Sequence, residues 1–338
     1  MNARRKFLKK TSLISAGGYA FLKTGSIGAA IAHADEKRAS SWPGMTYRKL
    51  GVTNFNASRL VYGCGAALSR RPANRLLSLA FDQGVNVFDT GFDEYYGDSE
   101  RNMASFVNTH SDDIFVISKA WIPGSEPNKE YSPTEAKKAG TDWLKQMDRS
   151  LRNLKLEHVD AYYVMSANNS SLARSEEMRR AFEKARDAGK VSHWGLSSHQ
   201  NASEVLQAAI DTGWYSLVMI AITPAGWYDW EKRDTLNGTP DMKTIRPMLD
   251  IARQKGIGLV GMKAGRLLAG ASMGGRGNGS VFNSHYSKNL QGAPFNDFQK
   301  SYAFVLENGL DVVNADIQNV EILEENFAAA AMAEQYVV

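Results

Sequence analysis

The stretch TEAKKAGTDWLKQMDRSLRNLKLEHVDAYYVM, residues 134–165, contains one complete helix-to-strand unit. Its apolar side chains recur at helical spacing from Trp143 to Leu154, which predicts an amphipathic helix over Thr134 to Leu156. A turn then leads into the apolar run Ala161 to Met165. Because this run lacks polar alternation, it predicts a strand of a parallel sheet that helices cover on both faces.

Similar units repeat along the chain. Eight apolar runs alternate with helical patterns, and their number predicts a (β/α)8 TIM barrel, an α/β fold whose catalytic groups lie at the carboxyl ends of the strands. A doubly wound open sheet is the alternative, but no predicted strand is followed by its Gly-x-Gly-x-x-Gly turn. The predicted strands are Leu60 to Gly65, Val85 to Asp89, Ile114 to Ser118, Ala161 to Met165, Trp194 to Ser197, Leu217 to Ile222, Gly258 to Met262 and Val312 to Ala315.

The segments before the first barrel strand have different characters. Met45 to Arg59 reads as two short extended pieces around Gly51, which predicts an N-terminal β-hairpin. Residues 35–44 are polar and charged and predict a short polar tether. Residues 45–338 are therefore expected to form one barrel domain.

The charge of the chain is concentrated at its start. The formal net charge is +4, yet residues 1–34 carry six Lys or Arg and no acidic residue, which leaves the remainder at −2. Since a nucleic-acid partner would require clustered cations in the body, we expect none. The single cysteine, Cys64, excludes an intramolecular disulfide and a Cys-rich zinc site, and we expect no bound metal.

Residues 1–34 have the order of a signal peptide. Arg4 and Arg5 open a basic region, an apolar stretch of about a dozen residues follows, and Ala32-His33-Ala34 resembles a cleavage site. The stretch falls short of the ~20 residues that span a bilayer, so we expect no transmembrane anchor. The adjacent arginines resemble a twin-arginine signal. This predicts contact with the twin-arginine export machinery and a periplasmic or extracytoplasmic location.

Three reactive side chains follow neighbouring predicted strands. Asp89 ends the second strand, Tyr96 lies in the loop after it, and Lys119 directly follows the third. A lysine beside a tyrosine lowers the pKa of the phenol, and a carboxylate holds that lysine charged. The trio would make the tyrosine a proton donor to a carbonyl oxygen. A structural ion pair with aromatic packing is the alternative.

At these residues the chain resembles the aldo/keto reductase family, and the resemblance covers nearly the whole body. The opening hairpin, the helix before the fourth strand, the fifth strand and the last helix each match a family motif. The matching segments are Met45 to Gly51, Asp148 to Leu154 with His158 to Tyr163, Gly189 to Ser198, and Glu324 to Ala330.

The resemblance implies an NAD(P)-dependent oxidoreductase that transfers hydride to or from a carbonyl or alcohol carbon, with a tyrosine as proton donor. It implies Asp89, Tyr96 and Lys119 as the catalytic set of this chain. It also implies NADP or NAD as cofactor, with nicotinamide and adenine contacts at Ser197, Ser198, Glu325 and Asn326.

The chain departs from the family pattern at several positions. Tyr95 and Tyr96 follow Asp89 by six and seven residues where the family has five, and Tyr96 is preferred because Gly-Asp-Ser-Glu follows it. Met165 replaces the family histidine, and a methionine donates no hydrogen bond. Asp316 lies where a phosphate motif is expected, and it would repel a 2′-phosphate.

Further candidates surround the same end of the barrel. His199 follows the fifth strand and either reaches into the site as a catalytic donor or lies exposed on a loop. The stretch Lys263-Ala264-Gly265-Arg266 offers the cations of Lys263 and Arg266 to a phosphate, with Gly265 as a further cofactor contact, or belongs to a solvated loop. Trp230 and its aromatic neighbours suit stacking on a sugar, or packing of a long loop.

Two further functions remain open on these departures. One is an exported pseudoenzyme or ligand-binding barrel that has lost dinucleotide use, and Met165 and Asp316 favour it. The other is a non-redox enzyme that modifies a carbohydrate with Tyr96, Lys119 and His199 as acid–base groups. The expected small-molecule partner is accordingly a carbonyl compound or a sugar-like substrate.

Overall fold

Eight parallel strands close into a barrel, as the sequence predicted. The computed structural model describes residues 34–122, 126–270 and 277–337. The barrel strands run in chain order, and pairing between the fifth and sixth strands closes the circle. They are β3 (Leu60–Gly63), β4 (Val87–Asp89), β5 (Phe115–Trp121), β6 (Val159–Met165), β7 (Val191–Ser198), β8 (Leu217–Thr223), β11 (Gly258–Met262) and β12 (Val312–Asp316).

Helices surround this barrel and cover the outer faces of the strands. Their bounds are α1 (Gly65–Leu68), α2 (Asn74–Asp82), α3 (Asp93–Tyr96), α4 (Ser99–His110), α5 (Pro133–Leu154), α6 (Ser170–Ala173), α7 (Glu176–Asp187), α8 (Ala202–Thr212), α9 (Met242–Gln254), α10 (Lys288–Gly292), α11 (Asp297–Glu307) and α12 (Val320–Val337). Short 3-10 turns lie at Gly51–Thr53, Arg266–Leu268 and Asn283–His285.

Helix α5 confirms the periodicity from which the fold was inferred. Ser132 accepts a hydrogen bond from the backbone of Glu135, whose side chain bonds back to Ser132, and this capping box sets the start of the helix. Lys155 adopts a left-handed conformation and ends it. Trp143 and Met147 lie on the buried face that packs against the barrel.

The N-terminal hairpin closes the bottom of the barrel, where the strands begin. Strands β1 (Tyr47–Lys49) and β2 (Asn56–Ser58) pair antiparallel, and the turn between them reaches the backbone of Gly256, just before β11. A side chain at Gly51 would collide with the Gly256 carbonyl, so this close approach requires glycine. The predicted hairpin is therefore confirmed.

The predicted tether lies against the body of the protein. Residues 34–39 form a helical turn, and Arg38 pairs with Glu321 and Glu324 at the start of α12. The Trp42 indole donates to Glu324 at 3.0 Å and packs on Phe327. The polar composition of residues 35–44 did not predict this docking, because the contacts are ion pairs and one aromatic contact and not an apolar run. Residues 1–33, which hold most of the predicted signal peptide, lie outside the described residues.

A second hairpin, not expected from the sequence, lies at the opposite end of the barrel. Strands β9 (Gly226–Asp229) and β10 (Asp234–Thr235) extend from β8 and carry the aromatic run that ends at Trp230. Gln200 anchors this hairpin because its amide bonds both to the Asp229 carboxylate and to the Trp230 backbone.

In the described part of the chain, no helix is long and apolar enough to cross a membrane.

Candidate active site

A buried ion pair lies at the carboxyl ends of the barrel strands, here called the mouth of the barrel. Lys119 Nζ donates to Asp89 Oδ1 at 2.6 Å and also to the Thr90 carbonyl. Both side chains are almost completely buried, and Lys119 is only 1 % exposed. A buried pair of this kind holds its charges in fixed positions, because separating the partners would leave a buried charge without its counter-charge. The structure therefore brings two of the predicted catalytic groups together.

Asn314 completes the surroundings of Asp89 and was not identified from the sequence. Its side-chain amide donates to Asp89 Oδ2 at 2.6 Å, so each carboxylate oxygen has a donor. Asn314 lies within β12, and its polar side chain interrupts the otherwise apolar run from Val312 to Ala315. That interruption was the available signal, because a polar residue in a buried strand needs a hydrogen-bond partner.

The Tyr96 ring lies between two glycines at the mouth. A Cβ atom at Gly65 would stand 2.3 Å from the ring, and one at Gly91 would stand 2.6 Å from it. Lys119 Nζ lies 5.3 Å from the ring centroid, which is within the range of a cation–π contact. The three catalytic candidates are therefore neighbours, and the two glycines make room for the phenol.

The ionisation of Tyr96 differs from the prediction. Burial, and after it the charge of Asp89, raises the pKa of Tyr96 well above its ordinary value. The expectation that Lys119 would lower this pKa was wrong because desolvation outweighs the lysine, whose own charge is paired with Asp89. The phenol consequently keeps its proton at neutral pH and is a donor.

Tyr95 and Tyr96 occupy different positions although they are adjacent. The Tyr95 ring is 57 % exposed and meets Tyr96 edge-on, with 5.0 Å between centroids. Only Tyr96 has a ring contact with Lys119 among the described residues. The arrangement favours Tyr96 as the tyrosine of the catalytic set.

His199 lies inside the mouth. It is only 8 % exposed, so the alternative of an exposed loop histidine was wrong. Burial, and after it the charge of Lys263, lowers the pKa of His199 well below its ordinary value, which keeps the imidazole neutral. Its Nδ1 is buried without a hydrogen-bond partner in the described part. A buried unsatisfied nitrogen at a cavity wall is suited to bind a ligand atom.

A cavity of about 400 Å³ opens beside these groups. Its size is within the range of small-molecule sites, and four of its wall residues are aromatic. Met165 lines it at the position of the expected family histidine. The wall residues are Phe92, Glu94, Tyr95, Trp121, Met165, Ser166, His199 and Trp230.

Two cations lie against the indole of Trp230. Lys263 Nζ is 4.9 Å and the Arg266 guanidinium carbon is 5.8 Å from the ring centroid. Neither residue forms an ion pair with a carboxylate in the described ranges, and Arg266 Nε is buried without a hydrogen-bond partner there. An unsatisfied cationic donor at the mouth fits a phosphate oxygen of a dinucleotide.

The other predicted cofactor contacts are spread over the same end. Ser197 and Ser198 are buried, and the Ser198 hydroxyl donates to the Gln200 carbonyl. Gly265 lies against Phe298, with a separation that leaves no room for a side chain. Glu325 is exposed, while the Asn326 amide bonds within its own helix.

Across the described residues, no three His, Cys, Asp or Glu side chains are grouped to hold a metal.

A carboxylate, a lysine and a tyrosine thus meet at the carboxyl ends of the strands of a closed barrel. This is the arrangement of a (β/α)8 enzyme that works by acid–base catalysis. The model of the aldo/keto reductase family matches residues 49–271, more than half of the sequence. The chain therefore belongs to the aldo/keto reductase family. As the sequence predicted, this makes it an NAD(P)-dependent oxidoreductase that acts on carbonyl or alcohol groups.

Solved structures show the same fold at low sequence identity. An aldo-keto reductase from Klebsiella pneumoniae in complex with NADPH is 19% identical, with a TM-score of 0.59 over 85% of this chain and 89% of that one. The holo form of one from Bacillus halodurans is 18% identical, with a TM-score of 0.59 over 87% and 95%. One from Brucella melitensis is 19% identical, with a TM-score of 0.54 over 84% and 93%.

Proposed function

We propose that this protein reduces a carbonyl compound with Tyr96 as proton donor, and that the same groups run the reverse reaction. The observation that carries the proposal is the contact between the protonated Tyr96 ring and the buried Lys119–Asp89 pair, beside a cavity of about 400 Å³. A nicotinamide, when bound, supplies or accepts the hydride. The residues of the chain supply the proton and the orientation.

Tyr96 gives up its proton when negative charge develops on the carbonyl oxygen. Its raised pKa keeps the proton in place before reaction. The Lys119 ammonium stabilises the phenolate that forms, because an opposite charge within a few ångströms favours the ionised state. Asp89 acts as a positioning residue because it fixes Lys119 from below, and Asn314 fixes Asp89 in turn.

His199 supplies the second polar contact to the substrate. Met165 has no hydrogen to donate, whereas the neutral His199 ring lines the same cavity with an unpaired Nδ1. A neutral imidazole carries a proton on one of its two nitrogens and can donate it to a carbonyl oxygen. In this proposal His199 donates the hydrogen bond to the carbonyl oxygen that Met165 cannot donate.

Arg266 holds the anionic part of the dinucleotide in this proposal. Its buried Nε has no partner in the described residues, and a phosphate oxygen would satisfy it. Ser197, Ser198, Lys263, Gly265, Glu325 and Asn326 stay predicted cofactor contacts. The structural similarity to the NADPH complex from Klebsiella pneumoniae, at 19% sequence identity, supports the fold on which this placement rests.

Titration with NADPH and NADH tests dinucleotide binding directly. We expect either nucleotide to quench tryptophan fluorescence, because Trp230 lies beside the cations of the mouth. Replacing Arg266 with glutamine should weaken binding about tenfold or more, as expected for loss of a hydrogen bond to a charged group. Arg233→Gln is the matched control, because Arg233 is an exposed arginine in the β9–β10 hairpin near Trp230. Absence of quenching at millimolar nucleotide, together with no turnover, would favour the pseudoenzyme instead.

The buried His199 also predicts how stability depends on pH. Because its pKa is lower in the folded state than in the unfolded one, the unfolded state binds the extra proton below about pH 6.5. Stability attributable to this ring is therefore complete above pH 6.5 and falls on acidification, by up to about 1.4 kcal/mol per pH unit.

Urea unfolding of the natural protein and of His199→Gln between pH 5 and 8 measures this dependence. We expect the two curves to converge as the pH falls, since glutamine does not titrate. His285, which lies away from this cavity, serves as a control through His285→Gln. A constant difference between the natural protein and His199→Gln across the range would contradict a buried neutral histidine.

We also propose that the protein works outside the cytoplasm after twin-arginine export. The support is the sequence of residues 1–34, with its adjacent arginines and its Ala32-His33-Ala34 site. Replacing both Arg4 and Arg5 with lysine should leave the protein in the cytoplasmic fraction. Unchanged export of that variant would contradict the proposal.

A further inference from the structure

Two lysines share the mouth of the barrel, and they differ in their partners. Lys119 Nζ donates hydrogen bonds to Asp89 and to the Thr90 carbonyl, and these two acceptors fix it in place. Lys263 follows the last residue of β11 in a left-handed conformation, with φ of 68°. In the described residues its Nζ has no hydrogen bond or ion pair, and it lies on the Trp230 indole. Lys263 is therefore the amine whose electron pair is available.

Desolvation makes this amine less basic than the amine of an ordinary lysine. Burial, and after it the charge of Arg266, lowers the pKa of Lys263 to about 8. About a tenth of the side chains are then free amine at pH 7, against fewer than one in a thousand for an ordinary lysine. Lysines activated in this way, by desolvation and a neighbouring cation, attack carbonyl groups. The charged or titratable groups that act on it are Arg266, Asp316, Lys119, Asp89 and His199.

The amine adjoins the cavity in which a carbonyl compound would bind. Trp230, which Lys263 touches, is one wall of that cavity, and His199 is another. The charge of Lys263 also helps to lower the pKa of His199, so the two side chains are close. No cation–carboxylate contact in the described part holds Lys263 away from the cavity.

We propose that Lys263 forms an imine with aldehydes or ketones that enter this cavity, an activity beyond hydride transfer. The Nζ electron pair forms a bond to the carbonyl carbon, the C=O π electrons move to oxygen, and the amine proton passes to that oxygen. In the resulting carbinolamine the nitrogen electron pair forms the C=N bond as the hydroxyl group leaves, and the hydroxyl departs as water with the remaining N–H proton. One amine and one carbonyl thus give one imine and one water, and no oxidant or reductant is consumed.

The inference rests on the proposed function only in placing carbonyl compounds in the cavity. It is independent of the cofactor because the reaction needs no hydride. It also gives Lys263 a role different from the predicted phosphate contact, in which the side chain would remain a protonated cation. Trapping of the imine separates the two roles.

The test uses the purified full chain without nucleotide, incubated with benzaldehyde and cyanoborohydride, which reduces imines to stable amines. We expect one benzyl group per chain by mass spectrometry, mapped to Lys263, at a rate that rises as the pH passes through about 8. Lys263→Arg should lower the labelling at least tenfold. Lys232→Arg, an exposed lysine in the neighbouring hairpin, should leave it unchanged.

The outcomes are distinct from those that test hydride transfer. Tyr96→Phe should lose reduction but keep a labelled Lys263, which would support the inference. Label spread over exposed lysines, or equal labelling of Lys263→Arg with an unchanged unfolding curve, would overturn it. Labelling of Lys263 by benzaldehyde in a protein that reduces no carbonyl compound would remove the proposed function and leave this inference standing.

Discussion

Replacing Tyr96 with phenylalanine is expected to lower the rate of carbonyl reduction by about 10²- to 10⁴-fold, the usual contribution of a positioned proton donor. The phenyl ring fits the same space between Gly65 and Gly91, so the fold should persist. Only the hydroxyl group is lost. Steady-state kinetics with one aldehyde, together with thermal unfolding, measure the two effects separately.

Tyr95→Phe is the matched control because the adjacent ring lines the cavity but does not touch Lys119. We expect this variant to change kcat by less than about threefold, since no proton is transferred through Tyr95. If Tyr95→Phe loses activity and Tyr96→Phe retains it, the role of proton donor belongs to Tyr95.

Removing the carboxylate of Asp89 should have the largest effect on stability. In Asp89→Ala the Lys119 ammonium stays buried without its counter-charge, which typically costs about 3–5 kcal/mol in the free energy of unfolding. The Asn314 amide loses its acceptor as well. Urea unfolding at pH 7 measures the loss, and reduction should be lost in parallel because Lys119 is no longer held in position.

A double replacement distinguishes a buried charge from a general packing defect. Asp89→Leu combined with Lys119→Met removes both charges, and most of the lost stability should return. Asp142→Ala breaks the exposed pair with Lys138 and should cost no more than about 0.5 kcal/mol. If the double variant is as unstable as Asp89→Ala, the buried charge is not the cause.

The barrel could be predicted from the sequence because its strands are buried on both faces. A run such as Leu217 to Ile222 has no polar alternation, and eight such runs at regular intervals leave few architectures. Helix α5 was predicted within two residues at each end, since its apolar side chains recur at helical spacing. These features depend on local sequence alone.

The site could be predicted where its residues lie near the carboxyl ends of strands or in the segments that follow them. Asp89, Lys119 and His199 were found in this way. Asn314 was missed because its role depends on a contact with a residue 225 positions earlier in the chain. The direction of the Tyr96 pKa was wrong for a similar reason: desolvation depends on what surrounds the ring in three dimensions, and spacing along the chain does not record it.

The docking of residues 34–42 on α12 has a practical consequence for anyone who prepares this protein. A recombinant product that begins at Met45 would contain every barrel strand, yet it would leave Glu321 and Glu324 without Arg38 and uncover Phe327 where Trp42 now lies. Such a product would expose an apolar surface around Phe327, and exposed apolar surfaces promote aggregation. A start at Ala34 keeps that helix covered and is the better choice of boundary.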